Sequence, residues 1–283
     1  MIDKPGDISS AGVVRFVKKT LNAEKVGHTG TLDPFAEGVL ICCLNQATRL
    51  AGFLLHGTKK YAAVLKLGEE TDTQDFTGTI VSITKLVDLS PKIIKDVFKR
   101  FEGSNEQLPP VYSALKHKGI PLYRLARQGK PMQKPPRCVQ IYNLNIQEFA
   151  LPLIRFEVTC SAGTYIRTLC ADIGKSLGCG GHLNALKRLE SSGFTLSQAI
   201  SMAKLEKLRN SPELSEHIIP MTDALPNLPQ IRADRQLAQK ICHGKLVSTR
   251  DLTGLNAIER TQGTDSEIKV VDREGDLIAI LKY

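Results

Sequence analysis

Apolar residues recur at spacings of three or four in several segments, and these segments are predicted to be helices. Ser9 or Ser10 caps a first helix whose apolar face is Val13, Val14, Phe16, Val17 and Leu21. The clearest helix begins after Ser90 and Pro91, ends at Gly103, and has an apolar stripe of Ile93, Ile94, Val97, Phe98 and Phe101. Residues 164–177 are predicted to be a further helix, with the apolar residues Ile166, Leu169, Ile173 and Leu177.

Shorter apolar segments predict strands. Residues 153–160 alternate most clearly, with one face made of Ile154, Phe156, Val158 and Cys160. Residues 61–67 and 79–83 are also predicted strands. The apolar run 38–44 is compatible with a buried strand or with the start of a short helix, and residues 22–31 are predicted to be a loop.

Residues 107–137 contain six prolines and cannot form one long regular element, so they are predicted to be a mobile insertion in the form of a loop or hairpin. No acidic residue lies between Glu106 and Glu148, while Tyr112, Tyr123 and Tyr142 are interleaved with basic residues. These basic residues are Lys116, Lys118, Arg124, Arg127, Lys130, Lys134 and Arg137. The composition is equally compatible with a nucleic-acid surface and with a solvated loop that serves solubility.

With 283 residues, the chain is predicted to form a large domain and a smaller one. The formal net charge of +9 favours polyanionic partners, and almost all of the excess lies in the first 230 residues. Prolines interrupt the pattern at residues 220–229. Beyond them, a short helix and strands at 267–271 and 277–281 predict a small, mostly β appendage. Strands and helices without regular alternation predict an α+β fold.

The sequence lacks features that are typical of several classes of protein. No apolar run reaches the roughly 20 residues of a membrane helix and no signal peptide is evident, so we expect a cytoplasmic protein that does not enter membranes. The seven cysteines form no C-x-x-C pair, which favours free thiols over a metal site. Complete motifs for phosphate-binding loops, dinucleotide folds, zinc proteases and serine hydrolases are also missing.

The remaining candidate for chemistry is Asp33, in the run GHTGTLDP. An Asp-Pro pair after glycine and threonine is most often a turn in which the carboxylate caps a neighbouring amide. A nucleophilic role would require a cleft and a cation that keeps the carboxylate ionised.

The run GHTGTLDP resembles the catalytic motif of the tRNA pseudouridine synthase B (TruB) family. Further segments match the family in the same order along residues 1–225, which makes a chance match unrealistic. They are IDKP at 2–5, KKYAAVLKLG at 59–68, TDTQDFTG at 71–78, PPVYSALK at 109–116, LYRLARQG at 122–129, CSAGTYIRTL at 160–169 and GCGGH at 178–182.

The resemblance implies isomerisation of uridine-55 in the TΨC arm of tRNA to pseudouridine, without a cofactor or a metal. Asp33 then corresponds to the aspartate that attacks the target nucleotide, at C6 of the base or at C1′ of the ribose. Tyr61 corresponds to the tyrosine that stacks on the base and takes the C5 proton, although a strand tyrosine is by itself more often a core residue. Arg167 corresponds to the arginine that pairs with the aspartate, although a lone arginine near a helix start is more often a surface salt bridge.

The same resemblance implies further substrate contacts. His28 matches the histidine that holds the flipped-out stem-loop, and Tyr165 and Leu186 match positions that line the uracil pocket. Lys4 lies in the IDKP motif, where a supporting role near the site is favoured over direct chemistry. The basic residues of 107–137 match an insertion that closes over the RNA.

The resemblance also implies the domain plan and the partners. It gives a pseudouridine synthase domain over residues 1–225, with a central mixed, mostly antiparallel sheet flanked by helices, and a PUA-like domain over residues 226–283. We expect a monomer that binds the TΨC stem-loop without an obligate protein partner. The alternatives are a non-catalytic tRNA-binding or tRNA-folding protein of this fold and a synthase guided by RNA and accessory proteins.

Overall fold

A mixed sheet forms the centre of the first of two units. The computed structural model describes residues 1–248, 251 and 267–282, and the chain divides into units Met1–His217 and Ile218–Tyr283. The strands of the first unit are β1 Ile2–Lys4, β2 Val26–His28, β3 Glu37–Leu40, β4 Cys42–Leu44, β5 Lys59–Leu67, β6 Glu69–Thr71, β7 Ile80–Ile83, β8 Gly103–Gln107, β9 Lys116–His117, β10 Ile120–Pro121, β11 Arg137–Ala150, β12 Leu153–Cys160, β13 Gly181–Ser191, β14 Phe194–Thr195 and β15 Ile200–Ser201.

The helices of this unit pack against the sheet or close its edges. They are α1 Ser10–Thr20, α2 Ala51–Leu55, α3 Pro91–Arg100, α4 Leu122–Arg127, α5 Ile166–Ser176 and α6 Met202–Leu208, with 3₁₀ turns at Asn45–Leu50, Leu196–Gln198 and Pro212–His217. Ser9 and Ser90 cap α1 and α3 by accepting hydrogen bonds from Gly12 N and Ile93 N.

The strand order of the sheet is β15-β1-β3-β13-β5-β12-β11-β8, with β14 paired to β13. The pairs β1–β15 and β3–β13 are parallel, and the other neighbours are antiparallel. The predicted α+β class, with a mixed and mostly antiparallel sheet, is therefore confirmed.

The main core lies between the sheet and helices α3 and α5. The predicted inner face of β12 is fully buried, and Leu65 of β5 packs in the same cluster. Helix α3 contributes Ile94, Val97 and Phe98, whereas Ile93 is exposed, so its predicted place on the buried stripe was wrong. Helix α5 contributes Leu169 and Ile173, and this packing fixes the direction of its first turn.

Two long strands, β11 and β13, were not predicted. Both contain shifts in pairing register, at Ile141/Asn143 and Ile146/Glu148 in β11 and at Leu183/Ala185 and Arg188/Glu190 in β13. Each bulge moves the apolar residues to the other face and destroys the two-residue period.

Two shorter segments also bear on the sequence predictions. Residues 22–31 are not entirely loop, because β2 pairs with β4 through Gly27 and Cys43. Of the two structures that the sequence allowed for the apolar run 38–44, the strand is the one observed, because the run forms most of β3 and all of β4. Between the end of β8 at Gln107 and the start of β11 at Arg137, the chain forms only the short elements β9, β10 and α4, so no long regular element is present, as the prolines predicted.

The second unit contains strands β16 Gln230–Arg232, β17 Glu267–Val271 and β18 Leu277–Lys282 and helix α7 Arg235–Cys242. The predicted short helix and terminal strands are confirmed. Part of the predicted PUA-like domain, at 249–250, 252–266 and 283, lies outside the described residues. Its PUA-like character and its boundary at residue 225 stay predictions. Among the described residues, no helix is long and apolar enough to cross a membrane.

The close approach of β3 and β13 depends on Gly38. This residue has a φ of +100°, and a Cβ there would collide with the Arg188 carbonyl. We expect Gly38→Ala to lower the free energy of unfolding by about 1–3 kcal/mol or more, because strain and collision add. Gly52→Ala, where a Cβ meets no atom within 4 Å, is the matched control. Urea unfolding tests this, and equal stability of both variants would contradict it.

Candidate active site

The loop between β2 and β3 presents Asp33 to a cavity because it is fixed on both sides of that residue. Leu32 N donates to Ser10 Oγ at 2.9 Å, and the same hydroxyl donates to the Leu32 carbonyl at 3.1 Å. On the other side, Lys4 Nζ donates to the Pro34 carbonyl at 2.9 Å. The Asp33 side chain remains 32 % exposed. The proline and the turn therefore orient this carboxylate toward the cavity and leave it partly buried.

Arg167, in the first turn of α5, forms a two-point ion pair with Asp33. Its Nε lies 2.9 Å from Oδ2, and its Nη2 donates to Oδ1 at 3.2 Å. The Arg167 side chain is only 4 % exposed, so it is not a surface salt bridge of the helix. Nη1 donates to the Thr73 carbonyl at 3.0 Å and Nη2 to the Tyr112 carbonyl at 2.9 Å. These bonds orient the guanidinium toward Asp33.

A second carboxylate, Asp75, stands behind Arg167 and was not singled out from the sequence. Its Oδ2 is 3.6 Å from Arg167 Nη1. Its Oδ1 accepts hydrogen bonds from Thr73 Oγ1 and from Thr77 N and Oγ1. The only signal in the sequence is the spacing T-x-D-x-T, which is typical of a turn stabilised by its own side chains.

The ionisation of Asp33 reflects opposing effects. Burial is the largest and raises the pKa of Asp33, and the nearby Asp75 carboxylate also raises it. The Arg167 guanidinium and, more weakly, Lys4 lower the pKa of Asp33 but do not fully offset burial. The charged form of Asp33 therefore depends on Arg167.

The cavity beside Asp33 has a volume of about 570 Å³, within the size range of small-molecule sites. Its lining includes Tyr61 of β5, Leu186 of β13, and Tyr165 and Ile166 at the start of α5. Tyr61 and Leu186 are almost completely buried. Burial raises the pKa of Tyr61, and the charge of Arg188 opposes this rise. The cavity thus combines an aromatic face, an aliphatic face and an ion-paired carboxylate.

Tyr165 is held by Gln107, which was not predicted as a site residue. Gln107 Oε1 accepts from Tyr165 N at 2.9 Å, and Nε2 donates to the Tyr165 carbonyl at 3.1 Å. The Arg137 guanidinium lies 4.5 Å from the Tyr165 ring centroid, as in a cation–π contact. Gln107 and Arg137 pair directly in the β8–β11 ladder. Both ends of the insertion therefore contact this wall of the cavity.

Lys4 and His28 do not line the cavity. Lys4 is completely buried, and its ammonium donates to the carbonyls of Pro5, Ile8 and Pro34. Burial lowers the pKa of Lys4 to about 8. His28 ends β2, is half-buried, and has an Nδ1 without a hydrogen-bond partner among the described residues. Lys4 therefore supports the Asp33 loop and is not placed for direct substrate contact.

The insertion exposes most of its predicted basic residues while its inner side forms a wall of the cavity. Lys116, Lys118, Arg124, Arg127 and Lys130 are exposed, and Lys134 and Arg137 are half-buried. Ser113, Ala114 and Leu115 line the cavity. In the described part of the chain, no group of three or more His, Cys, Asp or Glu side chains could hold a metal ion.

Comparison with known proteins identifies the family. Residues 18–166 match the TruB family pseudouridylate synthase N-terminal domain, and residues 167–226 match the tRNA pseudouridylate synthase B C-terminal domain. Together with the mixed sheet and the cavity, these matches define a pseudouridylate synthase. The chain belongs to the TruB family.

Individual relatives agree with this assignment. The chain is 43 % identical to tRNA pseudouridine synthase B of Geobacter sulfurreducens over 86 % of this chain and 80 % of that protein. It is 38 % identical to tRNA pseudouridine synthase B of Syntrophus aciditrophicus over 100 % of this chain and 90 % of that protein. A crystal structure of a Cbf5-Nop10-Gar1 complex contains a chain with a TM-score of 0.76 and 28 % identity, covering 99 % of this chain and 76 % of that one.

The raised pKa of Asp33 predicts how pH affects stability. The folded protein holds this proton more tightly than the unfolded chain does, so stability falls as pH rises above the pKa of the unfolded chain, until Asp33 ionises in the folded protein. We expect the free energy of unfolding of wild type, relative to Asp33→Asn, to fall as pH rises above about 4, the ordinary pKa of an aspartate. Urea unfolding of both proteins measures it. A relative stability that rises with pH would mean that Arg167 outweighs burial.

Proposed function

We propose that this chain converts uridine-55 in the TΨC arm of tRNA into pseudouridine. Membership of a pseudouridylate synthase family and the names of the tRNA-modifying relatives support this substrate class. The single observation that carries the proposal is the ion pair between Asp33 and Arg167 at a cavity that also contains Tyr61. An aspartate that acts as a nucleophile needs this combination of access and counter-charge.

The target uridine has to leave the RNA stack before it reaches this cavity. A base paired or stacked in the arm cannot present C1′, C5 and C6 to a side chain, so the enzyme flips it out. We propose that the flipped uracil stacks on Tyr61 and packs against Leu186 and Tyr165, which line the cavity. His28, outside the cavity, is proposed to hold the remodelled stem-loop.

The proposed reaction needs no cofactor because substrate and product contain the same atoms. Asp33 attacks the nucleotide at C6 or at C1′, and the bond between N1 and C1′ breaks. The uracil then turns and forms a bond from C5 to C1′. A proton leaves C5 for Tyr61, and Asp33 is released either when C5 displaces it from C1′ or by elimination from C6. Arg167 keeps the carboxylate charged and aimed before the attack.

The exposed side of the insertion is proposed to hold the RNA backbone. Its lysines and arginines offer phosphate contacts on the outer side of a segment whose inner side lines the cavity. We further propose that the chain acts in the cytoplasm as a monomer without an obligate protein partner. The rival, a non-catalytic tRNA-binding protein, predicts the same RNA affinity but no turnover.

Asp33→Asn tests the proposed nucleophile. We expect it to abolish pseudouridine formation in an unmodified tRNA transcript while the Kd for tRNA stays within about threefold, because the amide keeps the shape but not the nucleophilic charge. Pseudouridine is mapped by carbodiimide-stopped reverse transcription. Glu37→Gln is the control, since Glu37 is exposed and pairs only with Lys187 at 3.6 Å. Turnover by Asp33→Asn would refute the assignment.

The double variant Lys130→Ala and Lys134→Ala tests the RNA surface. Each lost phosphate contact should lower the slope of log Kd against log salt concentration by about one unit. Filter binding of the TΨC stem-loop at several salt concentrations gives this slope. Lys92→Ala with Lys99→Ala removes two exposed lysines from helix α3 as a charge-matched control. If both double variants keep the wild-type slope, the insertion is only a solvated loop.

A further inference from the structure

Arg188 of β13 is a buried cation that the mechanism above does not use. Only 1 % of the residue is exposed. None of the ion pairs among the described residues includes it. A buried charge without a carboxylate partner costs free energy that an apolar or amide side chain would avoid. Its position should therefore explain why a guanidinium is present.

The hydrogen bonds of Arg188 connect β3 to the loop that carries Asp33. Nε donates to the Val39 carbonyl at 2.7 Å, and Nη2 donates to the Gly30 carbonyl at 3.1 Å. Nη1 lies beside Gly30, since a Cβ there would be 3.5 Å away. Arg188 also lines the cavity. The guanidinium of Arg188 thus holds two backbone carbonyls and places its positive charge at the cavity.

Arg188 is also the cross-strand neighbour of Tyr61. The two residues are directly opposite in the antiparallel β5–β13 pair, so their side chains leave the sheet on the same face. The Arg188 charge lowers the pKa of Tyr61 against the effect of burial. Lys59 also lines the cavity, and its ammonium donates to the carbonyls of Leu54, Leu55 and Gly57 and to Ser192 Oγ.

We propose that Arg188 is a positioning residue that fixes Tyr61 relative to the Asp33 loop and stabilises the negative charge on the Tyr61 oxygen. The inference rests on the proposed function, in which C5 loses a proton. In that step the C5–H bond breaks and its electron pair re-forms the C5=C6 double bond, while the electron pair at C6 leaves with Asp33 or moves to N1. The proton moves from C5 to the Tyr61 phenolate. Water then takes a proton from the Tyr61 phenol and another proton is supplied to N1, so that the net change moves one hydrogen from C5 to N1. Without Arg188, the phenolate would lose the positive charge that lies directly opposite Tyr61 in the β5–β13 pair.

The first test measures Tyr61 directly and needs no turnover. The ultraviolet difference spectrum between wild type and Tyr61→Phe, followed with pH, reports ionisation of the Tyr61 phenol. The same difference between Arg188→Gln and the Arg188→Gln, Tyr61→Phe double variant should show ionisation at a pH higher by about one unit or more. An unchanged ionisation would overturn the proposal, whether or not the protein is active.

The second test separates rate from affinity. Arg188→Gln should lower the single-turnover rate of pseudouridine formation on the TΨC stem-loop by about tenfold or more, with Kd within about threefold. Arg188→Lys, which keeps the charge, should recover part of the rate. Arg155→Gln on β12 is the matched control, because Arg155 is exposed and pairs with Glu148. A loss confined to Kd, or Arg188→Lys no better than Arg188→Gln, would overturn the electrostatic role.

The outcomes also separate this inference from the proposed function. If Arg188→Gln does not fold, the spectral titration is made with Arg188→Lys. The shorter lysine side chain places its charge farther from the Tyr61 oxygen, so Tyr61 should still ionise at a higher pH than in wild type. If wild type forms no pseudouridine, the proposed function fails and this inference falls with it. If wild type is active and Arg188→Gln has the wild-type rate, only this inference is refuted.

Discussion

The ion pair between Asp33 and Arg167 is the interaction on which the rest of the site depends. It joins residues 134 positions apart in the sequence and brings four segments to one guanidinium. These segments are the Asp33 loop, the Thr73–Asp75 turn, the insertion through the Tyr112 carbonyl, and helix α5 itself. A planar guanidinium offers donors in fixed directions, so its contacts with all four segments restrict how these segments can be arranged. The site therefore depends on the fold that brings these four segments together.

Much of the architecture could be read from local patterns in the chain. Helices α1 and α3 have serine caps and clean apolar spacing, and β5 and β12 keep their periods, so each was predicted to within a few residues. Asp33, Tyr61 and Arg167 came from the family resemblance, since composition alone favoured a turn, a core residue and a surface salt bridge. The structure brings these three residues to one cavity. Their chemical roles stay predictions.

The residues that sequence reasoning missed act through contacts that sequence spacing does not encode. Asp75 contacts Arg167 from a separate loop. The Gln107 side chain binds the backbone of Tyr165, which lies 58 positions away in the sequence. Arg188 is informative only because it is buried and forms no ion pair with an acidic residue in the part of the chain that the structure describes. In each case the role of the residue follows from its contacts with a distant segment of the chain. The residues next to it in the sequence do not indicate these contacts.

The insertion leaves and re-enters the sheet at residues that are hydrogen-bonded neighbours, Gln107 and Arg137. Its ends are thus held together by the ladder regardless of what lies between them. The entropy of closing such a loop grows only with the logarithm of its length, and doubling it would cost about 0.6 kcal/mol. The outer part of this segment, away from Ser113, Ala114 and Leu115, can therefore change in length and charge at little cost in stability, while the anchored ends keep their contacts with Tyr165.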